Sequence, residues 1–156
     1  MYTPPPVRPA RSADAERLRE LQTHLPEPSP ALLSAALDEL STTVEPLAPT
    51  ARTWRLRVSP NSNDEPVGYL LAFDSRGTHI AEVVVEPAFR RQNRAKLLLT
   101  SVCGSTSQPV TVCVAAENRP ARSLYEQCGF VESTRTPEQF ESGEGITMRY
   151  EPASTQ

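Results

Sequence analysis

The sequence predicts a mixed α/β (α+β) fold: a mostly antiparallel sheet of about six or seven strands, with about four helices on its two faces. Three observations predict it. Segments of period-two or continuous apolar character are interleaved with segments of helical spacing. Their order is strand, helix, helix, three strands, helix, strand, helix, strand, strand, which is not a repeating strand–helix array. A strand–helix–strand run in the middle implies one parallel crossover between antiparallel hairpins.

The elements follow in order. Residues 7–10 read as a short first strand. Ser12 or Asp14 can cap a helix that carries Leu18, Leu21 and Leu25 on one face. Pro26, Pro28 and Pro30 break it, and Ser29-Pro30 supplies an N-cap followed by proline at the first helical position. Leu33, Ala36, Leu37 and Leu40 form the apolar face of that second helix. Trp54, Leu56 and Val58 alternate with Arg55 and Arg57, which predicts a strand with one wet face. Residues 67–73 form a nearly continuous apolar strand. A tight connection at Asp74-Ser75-Arg76-Gly77 leads to a strand over 78–85. Ala95, Leu98, Leu99 and Val102 have helical spacing up to Gly104, and Val110, Val112 and Val114 alternate as a strand. Ala121, Leu124, Tyr125 and Cys128 form a last helix face, closed by Gly129. Residues 130–134 and 146–150 read as closing strands, with an acidic loop containing Glu138, Glu141, Gly143, Glu144 and Gly145 between them.

The chain has 156 residues, 38% of them hydrophobic and 22% charged, which suits one domain over 1–156 with an extended leader (1–6) and a short tail (152–156). No apolar run is long enough to span a membrane, and no secretory signal is visible at the start. The three cysteines show no C-x-x-C spacing, and two histidines are too few for a His-based cluster, so no metal site is expected. An odd set of thiols fits a reducing cytoplasm. The net charge of −3 argues against nucleic acid as a partner. That total is unevenly distributed. Residues 90–122 carry a net +5 (Arg90, Arg91, Arg94, Lys96, Arg119 and Arg122 against Glu117), and the rest of the chain carries −8.

The basic stretch begins where a strand ends and a helix starts. A helix N-terminus presents unpaired N–H groups and the positive end of the macrodipole, which together attract an anion. Cations at that end oppose the dipole. Arg90, Arg91 and Arg94 are therefore an unfavourable local choice unless an anion binds there.

Two segments carry a resemblance. Val85, Pro87, Arg90, Arg91 and Ala95 match the acetyl-coenzyme A loop V-x-P-x-x-R-[GR]-x-G-x-[GA], and Asn118, Ala121, Leu124, Tyr125, Gly129 and Phe130 match N-x-x-A-x-x-L-Y-x-x-x-G-F. On these residues the chain resembles the GCN5-related N-acetyltransferase (GNAT) superfamily, closely over about residues 67–135 and in element order over roughly 7–150. Asn93 stands where the loop usually has glycine, and asparagine is the non-glycine residue that best tolerates left-handed backbone.

The resemblance implies that strands 78–85 and 110–114 splay apart, with the pantetheine arm of acetyl-CoA in the gap. The arm would pair with the backbone around Val83, Val84 and Val85. The pyrophosphate would lie on Gln92, Asn93, Arg94 and Ala95, with Arg90, Arg91 and Lys96 near and with Asn118, Arg122 and Tyr125 completing the cofactor set. It implies direct acetyl transfer to a primary amine, such as a protein N-terminus, a lysine or a small-molecule amine. Tyr125 would be the general acid to the CoA thiolate.

No general base is evident in the sequence. His79 shares strand parity with Ala81 and Val83, and its ordinary pKa suits the role. Glu82 points to the other face if the strand is regular, as a solvated or structural charge, and a bulge would reverse that. In relatives that acetylate ribosomal-protein N-termini a glutamate stands five residues before the motif asparagine; here that position is Cys113. Glu117 is a substitute, as is a water relay. The acidic loop and Glu132 read as an ordinary solvated hairpin or as a region that steers cations. The alternative function is a catalytically silent domain of the same fold that binds CoA or a protein partner. The expected state is a monomer or a homodimer.

Overall fold

The computed structural model describes residues 3–41, 53–140 and 143–152. A two-residue strand β1 (Arg8–Pro9) is followed by a 3-10 turn and helix α1 (Ala15–Gln22), then α2 (Pro30–Ser41). Strands β2 (Thr53–Pro60), β3 (Pro66–Asp74) and β4 (Thr78–Val85) follow in antiparallel sequence. Helix α3 (Arg94–Cys103), strand β5 (Val110–Ala115) and helix α4 (Arg119–Gln127) lead to β6 (Val131–Phe140) and β7 (Gly143–Tyr150). Within the 7-stranded sheet the order is β1-β2-β3-β4-β5-β7-β6. Among the described strands only β4 and β5 pair in parallel, as the central crossover predicts.

The sheet separates two apolar clusters. On one face Leu18 and Leu21 of α1 and Leu33, Ala36 and Leu37 of α2 pack on Leu56, Val58, Tyr69, Leu71 and Val84. On the other, Leu98, Leu99 and Val102 of α3 and Tyr125 of α4 pack on Leu70, Ala72, Ile80, Val85 and the β5–β7 strands. Each fully buried leucine contributes about 2 kcal/mol relative to exposure. The run Tyr69–Ala72 alternates between the clusters, so successive residues there are all buried because both faces of β3 are covered.

Two segments depart from expectation. The second face of β2 is not simply wet. Arg55 donates to Asp74 and Ser105, and burial lowers the Arg57 pKa, with Arg55 repelling it further. The acidic loop is largely paired: Thr136 opposes Gly145 and Phe140 opposes Gly143 across a register shift. Glu141 lies outside the described residues. A Cβ on Gly145 would come within 2.8 Å of the Gln139 Cβ, so the residues flanking this turn leave room only for glycine. The hairpin carbonyl of Glu144 also accepts from the Ala116 N–H, at 2.8 Å. Glu132 and Glu144 are both held by Arg135, so neither carboxylate is simply solvated or free to steer a cation.

The parallel pair is brief. Thr78, His79 and Ile80 pair with Val110, Thr111 and Val112. Beyond Ile80, β4 continues to Val85 against β3 alone, while β5 turns to β7. The strands part there, and the edge of β4 opens on a cleft. A bulge lies at the same point: Leu71 opposes Glu82 and Ala72 opposes Ile80, leaving Ala81 without an opposite number. Among the described residues, no helix is long and apolar enough to cross a membrane, and no group of His, Cys, Asp and Glu is arranged to hold a metal ion.

Candidate active site

The loop from β4 to α3 is built on left-handed backbone. A 3-10 turn (Pro87–Phe89) hands the chain to Arg90, and Arg91 and Asn93 follow at φ of 63° and 62°. Asn93 is the N-cap of α3, and its side chain makes no capping bond. The first-turn N–H groups of Ala95 and Lys96, which the helix does not bond internally, therefore remain available to an anion. Asn93 thus takes up left-handed backbone without glycine, at the position where the sequence departs from the motif it resembles.

A cavity of about 540 Å³ opens over this helix start and runs along the free edge of β4. Its lining includes Val83, Val84, Val85, Arg90, Arg91, Asn93, Arg94, Ala95, Lys96, Asn118 and Tyr125, together with His24, Leu25 and Pro26 from the α1–α2 loop. The Val84 side chain belongs to the α1–α2 cluster, so that residue offers the cavity its backbone. A second cavity, about 840 Å³, continues between the splayed strands. Glu27, Glu82, Glu117, Cys113, Ile80, Val112 and Phe140 line it. Among the described residues, the lining of the first cavity has four cations and no carboxylate, and that of the second has three carboxylates and no Lys or Arg. Leu25, Pro26, Val83, Asn118, Ala121 and Tyr125 line both. Tyr125 thus stands where a cationic half and an anionic half meet.

Tyr125 is 7% exposed, and its ring packs on Phe130 at 5.6 Å between centroids. Burial, with Cys128 adding to it, pushes its pKa up to about 12. No hydrogen bond from a described residue perturbs the hydroxyl, and no described buried polar side-chain atom lacks a partner. Tyr125 lines both cavities, and burial favours the protonated form of its phenol. Helix α4 is aimed by its cap: the Asn118 side chain accepts the Ala121 N–H at 3.2 Å, and Pro120 fills the first turn. Gly129, at φ 93°, takes the left-handed position after the helix and turns Phe130 into the core.

The remaining expected site residues occupy other places. Arg94 lines the cavity, but its guanidinium turns into the protein, bonding Ser59 Oγ, the Pro60 carbonyl and Gln92 Oε1. Gln92 thus holds Arg94 and is not in the lining. Arg122 donates to the Ala116 carbonyl at 2.9 Å, which fixes the β5–α4 turn, and it too is absent from the lining. Arg90 donates from Nε to the Val85 carbonyl, leaving the rest of its guanidinium for the cavity. Arg91 is exposed.

His79 lies outside both cavities. Its ring nitrogens meet Thr111 Oγ1 at 2.6 Å and the Ser75 carbonyl at 2.7 Å, and its ring packs on Phe73. The parity that grouped it and Ala81 with Val83 does not hold across the bulge. Ile80 and Val83 share one cluster, while Ala81 packs against the other. Glu82 does face away from Val83, but it is 4% exposed and fully hydrogen-bonded, a structural charge and not a solvated one. Glu117 is exposed at the mouth of the anionic half. Sequence reasoning missed the α1–α2 loop as a cleft wall. Its two prolines, Pro26 and Pro28, with Pro30 opening α2, were the available signal, since a loop so poor in N–H donors and so restricted in φ is suited to hold a shape.

The sequence and the fold have counterparts. Residues 51–152 match the family model described as an acetyltransferase (GNAT) domain. No curated protein matches the chain in sequence. Among solved structures, a variant of spermidine N-acetyltransferase from Vibrio cholerae is 16% identical with a TM-score of 0.74, over 94% of each chain. The ribosomal-protein-S18-alanine N-acetyltransferase from Escherichia coli is 13% identical with a TM-score of 0.73, over 96% of this chain and 95% of that one. A phosphinothricin acetyltransferase from Sinorhizobium meliloti in complex with AcCoA is 15% identical with a TM-score of 0.73, over 95% and 88%. At such identities the likeness is one of fold, and the matched domain supplies the assignment: the chain belongs to the GNAT family of acetyltransferases.

Proposed function

We propose that the protein transfers an acetyl group from acetyl-CoA directly to a cationic primary amine, with Tyr125 as the acid for the departing thiolate. One observation carries this reading: the cationic and anionic halves of the cleft meet at Tyr125. The cationic half suits the phosphates of the coenzyme, on the N–H groups at the start of α3 and beside Arg90, Arg91 and Lys96. The free edge of β4 from Val83 to Val85 suits the amide-bearing arm, which would add as a strand does. Glu27 and Glu117 favour a positively charged acceptor in the other half.

The reaction is a direct displacement. The acceptor's ammonium first gives up a proton to solvent; the neutral amine nitrogen then attacks the thioester carbonyl, a C–N bond forms, and the C–S bond breaks. The nitrogen loses a proton to water in the anionic half, beside Glu117. The sulfur receives one from Tyr125, and the phenolate is reprotonated from solvent. The products are an N-acetyl amine and free CoA thiol. An α-amino group, with a pKa of about 8, needs less help from a base than a lysine at about 10.4.

The test is thiol release from acetyl-CoA with three amines: spermidine, a peptide beginning with alanine, and an Nα-acetyl-lysine amide. Release that depends on one of them, and falls as salt rises, supports the reading. A rise in melting temperature with acetyl-CoA but no amine-dependent release would overturn it in favour of a silent binding domain.

A further inference from the structure

We propose that Glu82 is a positioning residue for the acceptor: its buried carboxylate pins the 23–29 loop against the sheet as the wall of the anionic half. This rests on the reading of that half as the acceptor site. The bulge at Ala81 sets it up. Ile80 and Glu82 would share a face of a regular strand; here Ile80 enters the α3–α4 cluster, and Glu82 turns toward α1. There Oε1 accepts from Gln22 Nε2 at 3.0 Å and from Tyr69 Oη at 2.9 Å. Oε2 accepts from Gln22 Nε2 at 3.1 Å and from the Ser29 backbone N–H at 2.7 Å.

A carboxylate offers about four acceptor sites, and each oxygen here already faces two donors. A proton on Oε2 would point at N–H groups that cannot accept it, and one on Oε1 would require the Tyr69 hydroxyl to reverse its own donation. A general base needs an open lone pair within reach of the substrate. Glu82 has none, so it acts through what it holds.

What it holds is both ends of the loop. Gln22 is the last residue of α1, and Ser29 immediately precedes α2. Between them Pro26 and Pro28 have no N–H to offer the sheet. Leu25 and Pro26 line both cavities, and Glu27 lines the anionic one. This buried carboxylate therefore sets where these side chains stand relative to Cys113 and Phe140 on the opposite wall.

Glu82→Gln tests this on the full chain. A glutamine has one acceptor oxygen and two donor hydrogens, and the Ser29 N–H cannot reverse its polarity. Hydrogen exchange of the 23–29 amides is expected to rise roughly tenfold or more, with the central strands unchanged and the melting shift by acetyl-CoA retained. With whichever of the three amines releases thiol, the acceptor KM is expected to rise severalfold while kcat stays within about twofold. Gln22→Met removes two donor contacts but keeps the carboxylate, and is expected to loosen the same loop if the first variant fails to fold. Unchanged loop exchange overturns the proposal, as does a uniform rise across the whole chain. So does a kcat that falls about a hundredfold with its acid pH limb abolished, which would make Glu82 the base. If no amine releases thiol, the acetyl-transfer reading fails by itself, and loop exchange still decides the anchor.

Discussion

Arg94 donates from Nη1 to Ser59 Oγ at 3.0 Å, through a guanidinium that is 1% exposed at the first residue of α3. The same side chain bonds the Pro60 carbonyl and lies over the Phe89 ring. It ties the start of the helix to the end of β2, and its neighbour Arg91 faces solvent at the cavity. Two arginines three residues apart thus do different work. Arg94→Met is expected to lower the unfolding free energy by about 3 kcal/mol, because charge-assisted bonds in a buried site are lost. Arg91→Ala is expected to leave stability within about 0.5 kcal/mol and to weaken acetyl-CoA binding roughly threefold to tenfold. Urea unfolding and calorimetric titration separate the two.

Asn93 caps α3 in the left-handed conformation. Asn93→Gly is expected to retain the turn, with stability within about 1 kcal/mol and acetyl-CoA affinity at least equal to the wild type. Asn93→Val is expected to cost about 1–2 kcal/mol and to weaken affinity, since a β-branched residue resists that backbone. Melting curves with and without acetyl-CoA read both.

Tyr125→Phe keeps the ring that packs on Phe130 and removes the donor. Its kcat is expected to fall roughly 10²–10³-fold, with the acetyl-CoA dissociation constant unchanged. Steady-state thiol release and direct titration give the two numbers. Normal turnover in this variant would remove Tyr125 from the chemistry.

The same residue predicts a pH effect. Its phenol ionises near 10.0 in the unfolded chain and near 12 when folded. Between those values the folded state holds a proton that the unfolded state has released. Stability is therefore complete below about pH 10 and is lost as pH rises toward 12, by up to about 3 kcal/mol. Tyr69 is shifted in the same direction by burial and by Glu82, and adds to the loss. Urea unfolding at pH 8 and 11.5 is expected to show a smaller loss in Tyr125→Phe than in the wild type.

Much of this was legible because the signals were local. The Asn118-to-Phe130 spacing carried α4, its cap and the placement of Tyr125. The strand over 78–85 followed from its apolar pattern, and the turn at Asn93 from a residue type that tolerates left-handed backbone. What was hidden depended on distant partners. Nothing near Ala81 announces the bulge, which exists because β3 and β4 shift register against each other, and that shift moved His79 and freed Glu82 to reach Gln22 and Ser29. Arg94 looks like a phosphate ligand until Ser59 and Pro60 come from another strand to claim it. The 131–140 strand lacked an apolar face because it lies at the sheet edge, exposed along nearly all its length.

The central claim is that the two halves of the cleft meet at Tyr125. A crystal structure with bound CoA tests it most directly. The account predicts the pyrophosphate on the N–H groups of Ala95 and Lys96, and the sulfur within ~3.5 Å of Tyr125 Oη, facing Glu117 and Cys113. Phosphates bound elsewhere, or a sulfur directed away from Tyr125, would contradict it.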